Sequence, residues 1–153
     1  MAKKGGKRGK GWKFVPVEEL LLQGRMPDGS RARFRRNRPS CMRAFPYQIR
    51  SIFRVMKRLE SRVISARRNH DSLALLDASF LLNMRRADLI NLRIDYFKAL
   101  LKDRVSINSE FGFGLKASRI KAAIARQLEE LDRVNGELAS LERQSRLKIG
   151  KNG

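Results

Sequence analysis

Residues 72–101 read SLALLDASFLLNMRRADLINLRIDYFKALL, and the spacing of their apolar side chains decides the fold class. The apolar positions recur mostly at steps of three and four: Leu73, Leu76, Phe80, Met84, Ile90, Ile94, Phe97 and Leu101. This period is that of one side of an α-helix. The stripe shifts around residues 83–86, so we predict one long helix that begins near Ser72 and bends there.

The same period continues on both sides of this stretch. Upstream, residues 47–68 carry an apolar stripe at Ile49, Ile52, Met56, Leu59 and Val63. Downstream, residues 117–148 carry a near-heptad seam at Ile120, Ile124, Leu131, Val134, Leu138 and Leu141. Residues 104–116 contain two glycines and predict a connection between helices. No strand pattern competes, so we predict an all-α fold whose last two helices pack as an antiparallel hairpin or coiled coil.

The amino-terminal third has a different character. Residues 14–24 have a proline near the start, acids in the first turn and a glycine at the end, which predicts one short helix. Residues 25–46 contain Pro27, Pro39 and Pro46 and predict an extended basic arm. We therefore expect an arm with one short helix over 1–46, a helical domain over 47–149 and a tail over 150–153.

The charge is concentrated in this first third and just beyond it. The chain has a formal net charge of +20. Of its first 58 residues, seventeen are Lys or Arg and three are acidic, so this stretch holds +14 of that charge. Such a density opposes a compact state, whereas each cation can release a condensed counterion from a phosphate backbone. The pattern indicates a nucleic-acid partner, and folded RNA above all.

The candidate RNA-binding residues are basic side chains with aromatic ones between them. Glycines alternate with lysines over residues 3–11, and arginines recur at almost every second position over 31–38. Guanidinium groups bind phosphate in a bidentate way, and aromatic rings stack on unpaired bases. The predicted nucleic-acid-binding residues are Lys3, Lys4, Lys7, Arg8, Lys10, Trp12, Lys13, Arg25, Arg31, Arg33, Phe34, Arg35, Arg36, Arg38, Arg43, Arg50, Arg54, Lys57 and Arg58. Phe14, Phe45 and Tyr47 are further candidates for stacking.

Several classes of protein do not fit this composition. A single cysteine, Cys41, excludes an internal disulfide, and a single histidine, His70, leaves too few ligands for a structural zinc site. We expect no metal, no cofactor and no catalytic residues. No apolar run approaches a membrane span, and the start lacks the apolar core of a secretory signal. We expect an intracellular protein of the cytoplasm or the mitochondrial matrix.

Two short stretches resemble known families. Residues 83–93, NMRRADLINLR, resemble the segment of tyrosine recombinases that carries their first catalytic arginine, with Arg85 or Arg86 in that place. The His-x-x-Arg element of that family is missing here, and Tyr96 lies too close in sequence to be its nucleophile. An enzyme is therefore one of three interpretations of this chain, and it rests only on this incomplete resemblance.

The second resemblance fits the charge. Residues 88–94, DLINLRI, and 119–126, RIKAAIAR, are similar to the two helices of the small large-subunit ribosomal protein that lies beside the peptide exit tunnel. The loop between them is longer than in that family, and residues 1–68 have no counterpart in it. The resemblance implies that four basic residues face RNA: Arg93, Arg119, Lys121 and Arg126.

We therefore expect a non-enzymatic, structural component of a ribosome or ribosome-like particle, whose amino-terminal arm binds and shapes rRNA. The last helix balances its bases with acids, which favours contacts with neighbouring proteins over contacts with RNA. A homo-oligomer is possible but not favoured. The alternative is a nucleic-acid-binding module outside the ribosome, such as a viral or nucleoid packaging protein or a helical small subunit of an RNA-guided effector complex.

Overall fold

The computed structural model describes residues 15–28 and 40–152, which form four α-helices with no β-strand among them. α1 spans Val17–Leu22, α2 spans Ser40–Arg68, α3 spans Ser72–Phe111 and α4 spans Ala117–Asn152. The predicted all-α fold is confirmed.

The longest helix, α3, lies at the centre, because both other long helices pack against it. Its 40 residues span about 60 Å at the usual rise of an α-helix. α4 follows after residues 112–116 and runs back along α3, so the predicted antiparallel hairpin is confirmed. α2 packs along another part of the α3 surface, and the short α1 touches the start of α2 and the carboxyl half of α3.

The hydrophobic core changes its composition along α3. Near the carboxyl end of α3, side chains from all four helices meet: Leu21, Leu22, Phe45, Ile49, Tyr96, Phe97, Leu100, Ile107 and Ile120. Towards the amino end of α3, a second cluster joins only α2 and α3: Met56, Leu59, Val63, Ala78 and Leu82. Ile90 and Ile94 pack against Val134 of α4. The apolar stripe of α3 therefore shifts because the helix changes its neighbours, and α3 is one helix through residues 83–86, as predicted.

The start of α2 differs from the prediction. We expected the extended arm to reach residue 46, but α2 begins at Ser40 and contains Pro46. A proline inside a helix removes one backbone hydrogen bond and costs about 3 kcal/mol. Burial offsets this cost, because Phe45 and Ile49 lie in the core and the Phe45 ring meets the Tyr96 ring edge-on at 5.6 Å. Residues 40–46 thus belong to the helical body.

The connection between α3 and α4 is shorter than the predicted 104–116. α3 continues to Phe111 because Ile107 is fully buried in the core. Gly112 ends the helix with a left-handed φ of 69°, a conformation that glycine adopts without steric cost. The Asn108 side-chain amide then pairs with both backbone groups of Leu115, at 2.8 and 3.0 Å, and orders the turn into α4.

The turn between α2 and α3 has the predicted capping residues. The Asp71 carboxylate accepts a hydrogen bond from the Ala74 N–H at 3.1 Å and caps α3. His70, in an exposed position, has a left-handed φ of 52°. Its N–H donates to the Arg67 carbonyl, and the Asp71 N–H donates to the Ala66 carbonyl, which together form a Schellman motif that ends α2. His70 therefore has a local structural role here.

Candidate nucleic-acid interface

Four basic side chains form an exposed row on α2, which we call the cationic ridge: Arg50, Arg54, Lys57 and Arg58. The opposite side of the same helix is buried through Met56, Leu59 and Val63. Because the core side of α2 is fixed, the ridge faces solvent. Among the described residues none of the four forms an ion pair, and Glu60 is the one acid on α2. The ridge can therefore present its charges to an external anion.

The short helix α1 is anchored firmly to α3. Leu21 and Leu22 are almost completely buried, and the Tyr96 hydroxyl donates a 2.6 Å hydrogen bond to the Glu18 carbonyl. Burial raises the pKa of Tyr96 well above its ordinary value of 10.0, and the Glu19 and Glu18 charges raise it further, while Arg93 opposes them. The phenol therefore stays protonated and keeps its donor role throughout the neutral range.

Both acids of α1 meet basic residues of the hairpin. Arg93 of α3 donates to the Glu19 carboxylate at 2.5 Å and lies over the Phe97 ring at 5.7 Å from its centroid. Arg119 of α4 lies 3.6 Å from the Glu18 carboxylate. The resemblance to the exit-tunnel protein implied that both arginines face RNA, but here each has an acid of α1 beside it. Both arginines help to hold α1 in place. Arg93 is largely covered, whereas Arg119 remains exposed, as do Lys121 and Arg126 on the same helix.

The anchored helix α1 lies between the two basic segments of the chain. α1 joins residues 1–14 at one end and leads towards residues 29–39 at the other, and α2 begins directly after the latter. Gly24, just after α1, packs against Pro46 near the start of α2, where a β-carbon on Gly24 would lie 3.5 Å from that of Pro46. Arg25 follows and is exposed. The segment over 29–39 therefore leads directly into the helix that carries the cationic ridge, whereas residues 1–14 join α1 where Glu18 meets Tyr96 and Arg119.

The structure places only part of the predicted site. Thirteen of the predicted residues lie outside the described part of the chain: Lys3, Lys4, Lys7, Arg8, Lys10, Trp12, Lys13, Arg31, Arg33, Phe34, Arg35, Arg36 and Arg38. Arg43 lies within α2, although its side chain is not described. Arg25 and the cationic ridge are exposed, as a binding role requires.

The aromatic candidates separate into three groups. Trp12, Phe14 and Phe34 lie outside the described residues. Phe45 is wrong as a stacking candidate, because its ring is buried against Tyr96 and Leu21 in the core. Tyr47, two residues later, is 65% exposed. The difference arises because residue 45 lies on the core side of α2 and residue 47 does not.

Sequence reasoning missed one aromatic residue of this surface. Phe53 is 51% exposed and lines a shallow groove together with Arg50, Arg54, Met56, Lys57 and Glu60. A signal for it was present, since position 53 falls outside the apolar stripe of α2 and lies among basic residues. A phenylalanine that falls outside the apolar stripe of its helix is expected to be exposed, and this could have been recognised from the sequence.

The outer surface of α4 is arranged differently. Arg133 pairs with Glu130 at 3.0 Å, and Arg146 pairs with Glu142 at 2.7 Å, both one helical turn apart. Exposed pairs of this kind contribute little to stability, but they lower the charge that the helix shows to a polyanion. Of the described α4 cations, Lys121, Arg126 and Arg143 form no ion pair, but all five acids of this helix lie between Arg126 and Arg143, so α4 carries its positive charge less densely than α2.

The residues that resembled a recombinase have structural partners. The Arg85 guanidinium donates to Asp88 at 2.9 Å, and that of Arg86 donates to the Asn83 side chain at 3.2 Å. Tyr96 is fully buried, with its hydroxyl bound to the Glu18 carbonyl. Each of these three side chains therefore has its own partner, and the three do not share one.

Two further observations concern the described residues alone. They contain no group of three or more His, Cys, Asp or Glu side chains placed to hold a metal ion. None of the helices within them has both the length and the hydrophobicity needed to cross a membrane.

Comparison of the chain with protein-family models, curated proteins and solved structures finds no match. The arguments for function therefore rest on the residues and their arrangement.

Proposed function

We propose that this protein is a structural, non-enzymatic RNA-binding component of a ribosome or a ribosome-like particle. The observation that carries the proposal is the cationic ridge of α2, which is exposed and has no acidic partner among the described residues. The ridge lies at the end of the first 58 residues, which together carry a charge of +14. A phosphate backbone supplies the density of negative charge that such a surface can neutralise.

RNA is favoured over DNA by the side chains that accompany the charge. Phe53 is exposed on the same helix as the ridge and lines a groove with three of its basic residues. Proteins recognise RNA largely through unpaired bases that stack on aromatic rings and arginine planes, whereas duplex DNA keeps its bases stacked within the helix. A surface that offers both arginines and an exposed ring is suited to a folded RNA with unpaired segments.

The helical body would serve to hold and orient the basic segments. α1 is bound to α3 and α4 through buried leucines, the Tyr96 hydroxyl and two ion pairs. This anchor determines where the basic segments start, so they can follow an RNA surface while the hairpin stays outside it. We assign the charge-balanced surface of α4, with Leu128 and Leu147 exposed, to neighbouring proteins of the particle.

The first test is the salt dependence of RNA binding by the full chain. If about eight of the seventeen bases in residues 1–58 touch phosphate, the logarithm of the affinity should fall with the logarithm of salt concentration at a slope of about −6 to −7. A slope near zero for a folded RNA would contradict the proposal, because the charged surface would then make no phosphate contacts.

The second test addresses the kind of particle. The native protein should sediment with ribosomal subunits in high salt, since a component built into folded rRNA is held by shape as well as charge. Sedimentation with the viral or nucleoid genome, or with a guide-RNA complex, would instead support a nucleic-acid-binding module outside the ribosome.

A further inference from the structure

Phe53 is the described phenylalanine whose ring is most open to solvent. Phe45 and Phe97 are buried, and Phe80, Phe111 and Phe113 are partly buried, whereas Phe53 is 51% exposed. Burial of such a side chain stabilises a folded protein, so a ring left in water forfeits part of that stabilisation. The ring is held at the surface by the geometry of α2, whose core side lies through Met56 and Leu59.

The surroundings of Phe53 are mainly cationic. Arg50 lies three residues before it and Lys57 four residues after it, which are the neighbouring positions on a helix surface. Both line the same groove as the ring, together with Arg54 and one acid, Glu60, so three cations there outnumber one carboxylate. A purely apolar partner would have to desolvate these cations without compensating them, which is costly. The groove therefore fits a ligand that has a flat apolar face and negative charges beside it.

An unpaired nucleotide has this combination. Its base offers a flat face to the ring, and its flanking phosphates lie within reach of basic side chains. A base inside a duplex is already stacked on both sides, so the Phe53 ring could not reach its face. The groove thus distinguishes single-stranded from double-stranded RNA.

We infer that Phe53 is a base-stacking position, on which an unpaired nucleotide of RNA lies with its phosphates against Arg50 and Lys57. This inference rests on the proposed RNA-binding function and adds the class of RNA that α2 binds. Tyr47 is more exposed, at 65%, but lines a different groove, which includes Asp88 and Asp95 and no basic residue. Those carboxylates disfavour a phosphate there, so Tyr47 is the matched control.

The test compares two RNA probes with the full chain. One is a single-stranded oligouridylate of about 12 nucleotides, within the range of single-strand site sizes, and the other is a blunt RNA duplex of the same length. Fluorescence anisotropy gives the dissociation constant of each at several salt concentrations. The variants are Phe53→Ala, Phe53→Trp and Tyr47→Ala, whose helicity is compared by circular dichroism.

Phe53→Ala should weaken single-strand binding by about five- to a hundredfold, the range measured for one stacked base. The salt slope should not change, because no phosphate contact is removed, and duplex affinity should stay within twofold. Phe53→Trp should bind at least as well as the original protein, and Tyr47→Ala should change single-strand affinity less than threefold.

Two results would overturn the inference while leaving the proposed function intact. One is a Phe53→Ala protein that binds the single strand as tightly as the original, with the same steep salt slope. The other is an equal loss for single strand and duplex, or for Phe53→Ala and Tyr47→Ala. If the original protein binds neither RNA in a salt-dependent way, the proposed function and the inference are both wrong.

Discussion

α2 and α4 pack against the same central helix, and each carries eight Lys and Arg residues, yet their surfaces differ in charge. α2 contains one acid and α4 contains five. On α4, Arg133 and Arg146 are paired within the helix, whereas the cationic ridge of α2 has no acidic partner among the described residues. The number of cations therefore does not identify the interface. The proposed interface rests instead on the exposed cations that have no acidic partner among the described residues.

The largest expected effect comes from neutralising each helix in turn. Replacing Arg50, Arg54, Lys57 and Arg58 with glutamine should weaken binding to folded RNA by about a hundred- to a thousandfold near 0.1 M salt, and should make the salt slope shallower by about 3. The matched control replaces four exposed arginines of α4 with glutamine: Arg126, Arg133, Arg143 and Arg146. Salt titrations measure both, and equal losses would abolish the distinction between the helices.

The second effect concerns how much the packing of α1 contributes to the stability of the fold. Leu22 is 2% exposed in the core that joins all four helices, so Leu22→Ala should lower the free energy of unfolding by about 2–4 kcal/mol. Leu147→Ala on α4, where the side chain is 67% exposed, should change it by less than about 0.5 kcal/mol. Denaturant unfolding gives both values. Equal stability of the two variants would mean that α1 is not docked as described.

The third effect is a pH dependence of the free energy of unfolding that arises from Tyr96, whose hydroxyl helps to hold α1 on α3. The pKa of Tyr96 is raised by burial, so between the unfolded pKa near 10 and the higher folded pKa the unfolded state loses a proton that the folded state keeps. The tyrosine's contribution is complete below pH 10 and is lost as pH rises, at up to about 1.4 kcal/mol per pH unit.

Two matched variants isolate that contribution. Tyr96→Phe should remove this part of the alkaline loss of stability, whereas Tyr47→Phe, at an exposed position, should retain it. Thermal or denaturant unfolding between pH 9 and about pH 11.5 measures the difference. Parallel curves for the original protein and Tyr96→Phe would contradict the assignment.

The smallest effect lies at the other end of α2, far from the anchor. His70 adopts a left-handed φ of 52°, which costs a residue with a β-carbon about 1–2 kcal/mol. His70→Gly removes that strain but adds about 0.4–1 kcal/mol of unfolded-state entropy, so the net stabilisation should be about 0.5 kcal/mol. Ser65→Gly, inside α2, should have the opposite sign. Destabilisation by His70→Gly would mean that the turn differs from a Schellman motif.

Local patterns were sufficient to locate the helices. The apolar period predicted the start of α3 at Ser72 and of α4 at Ala117, and the proline, acids and glycine of residues 14–24 predicted α1. These signals depend on side chains within a few positions of one another. They gave wrong boundaries at the start of α2 and at the end of α3. There, burial of side chains in the core outweighs the local signals, so that α2 includes Pro46 and α3 extends beyond the buried Ile107.

The sequence by itself determined the all-α class, the hairpin and the concentration of positive charge in the first 58 residues, because period and composition are properties of the chain alone. Tertiary structure decided which charges and rings remain available. Arg93 meets Glu19 across 74 residues of sequence, and the Tyr96 hydroxyl meets the Glu18 carbonyl across 78. Phe45 is buried while Phe53, on the same helix, is exposed. Such outcomes depend on which distant elements pack together, and no local pattern contains that information.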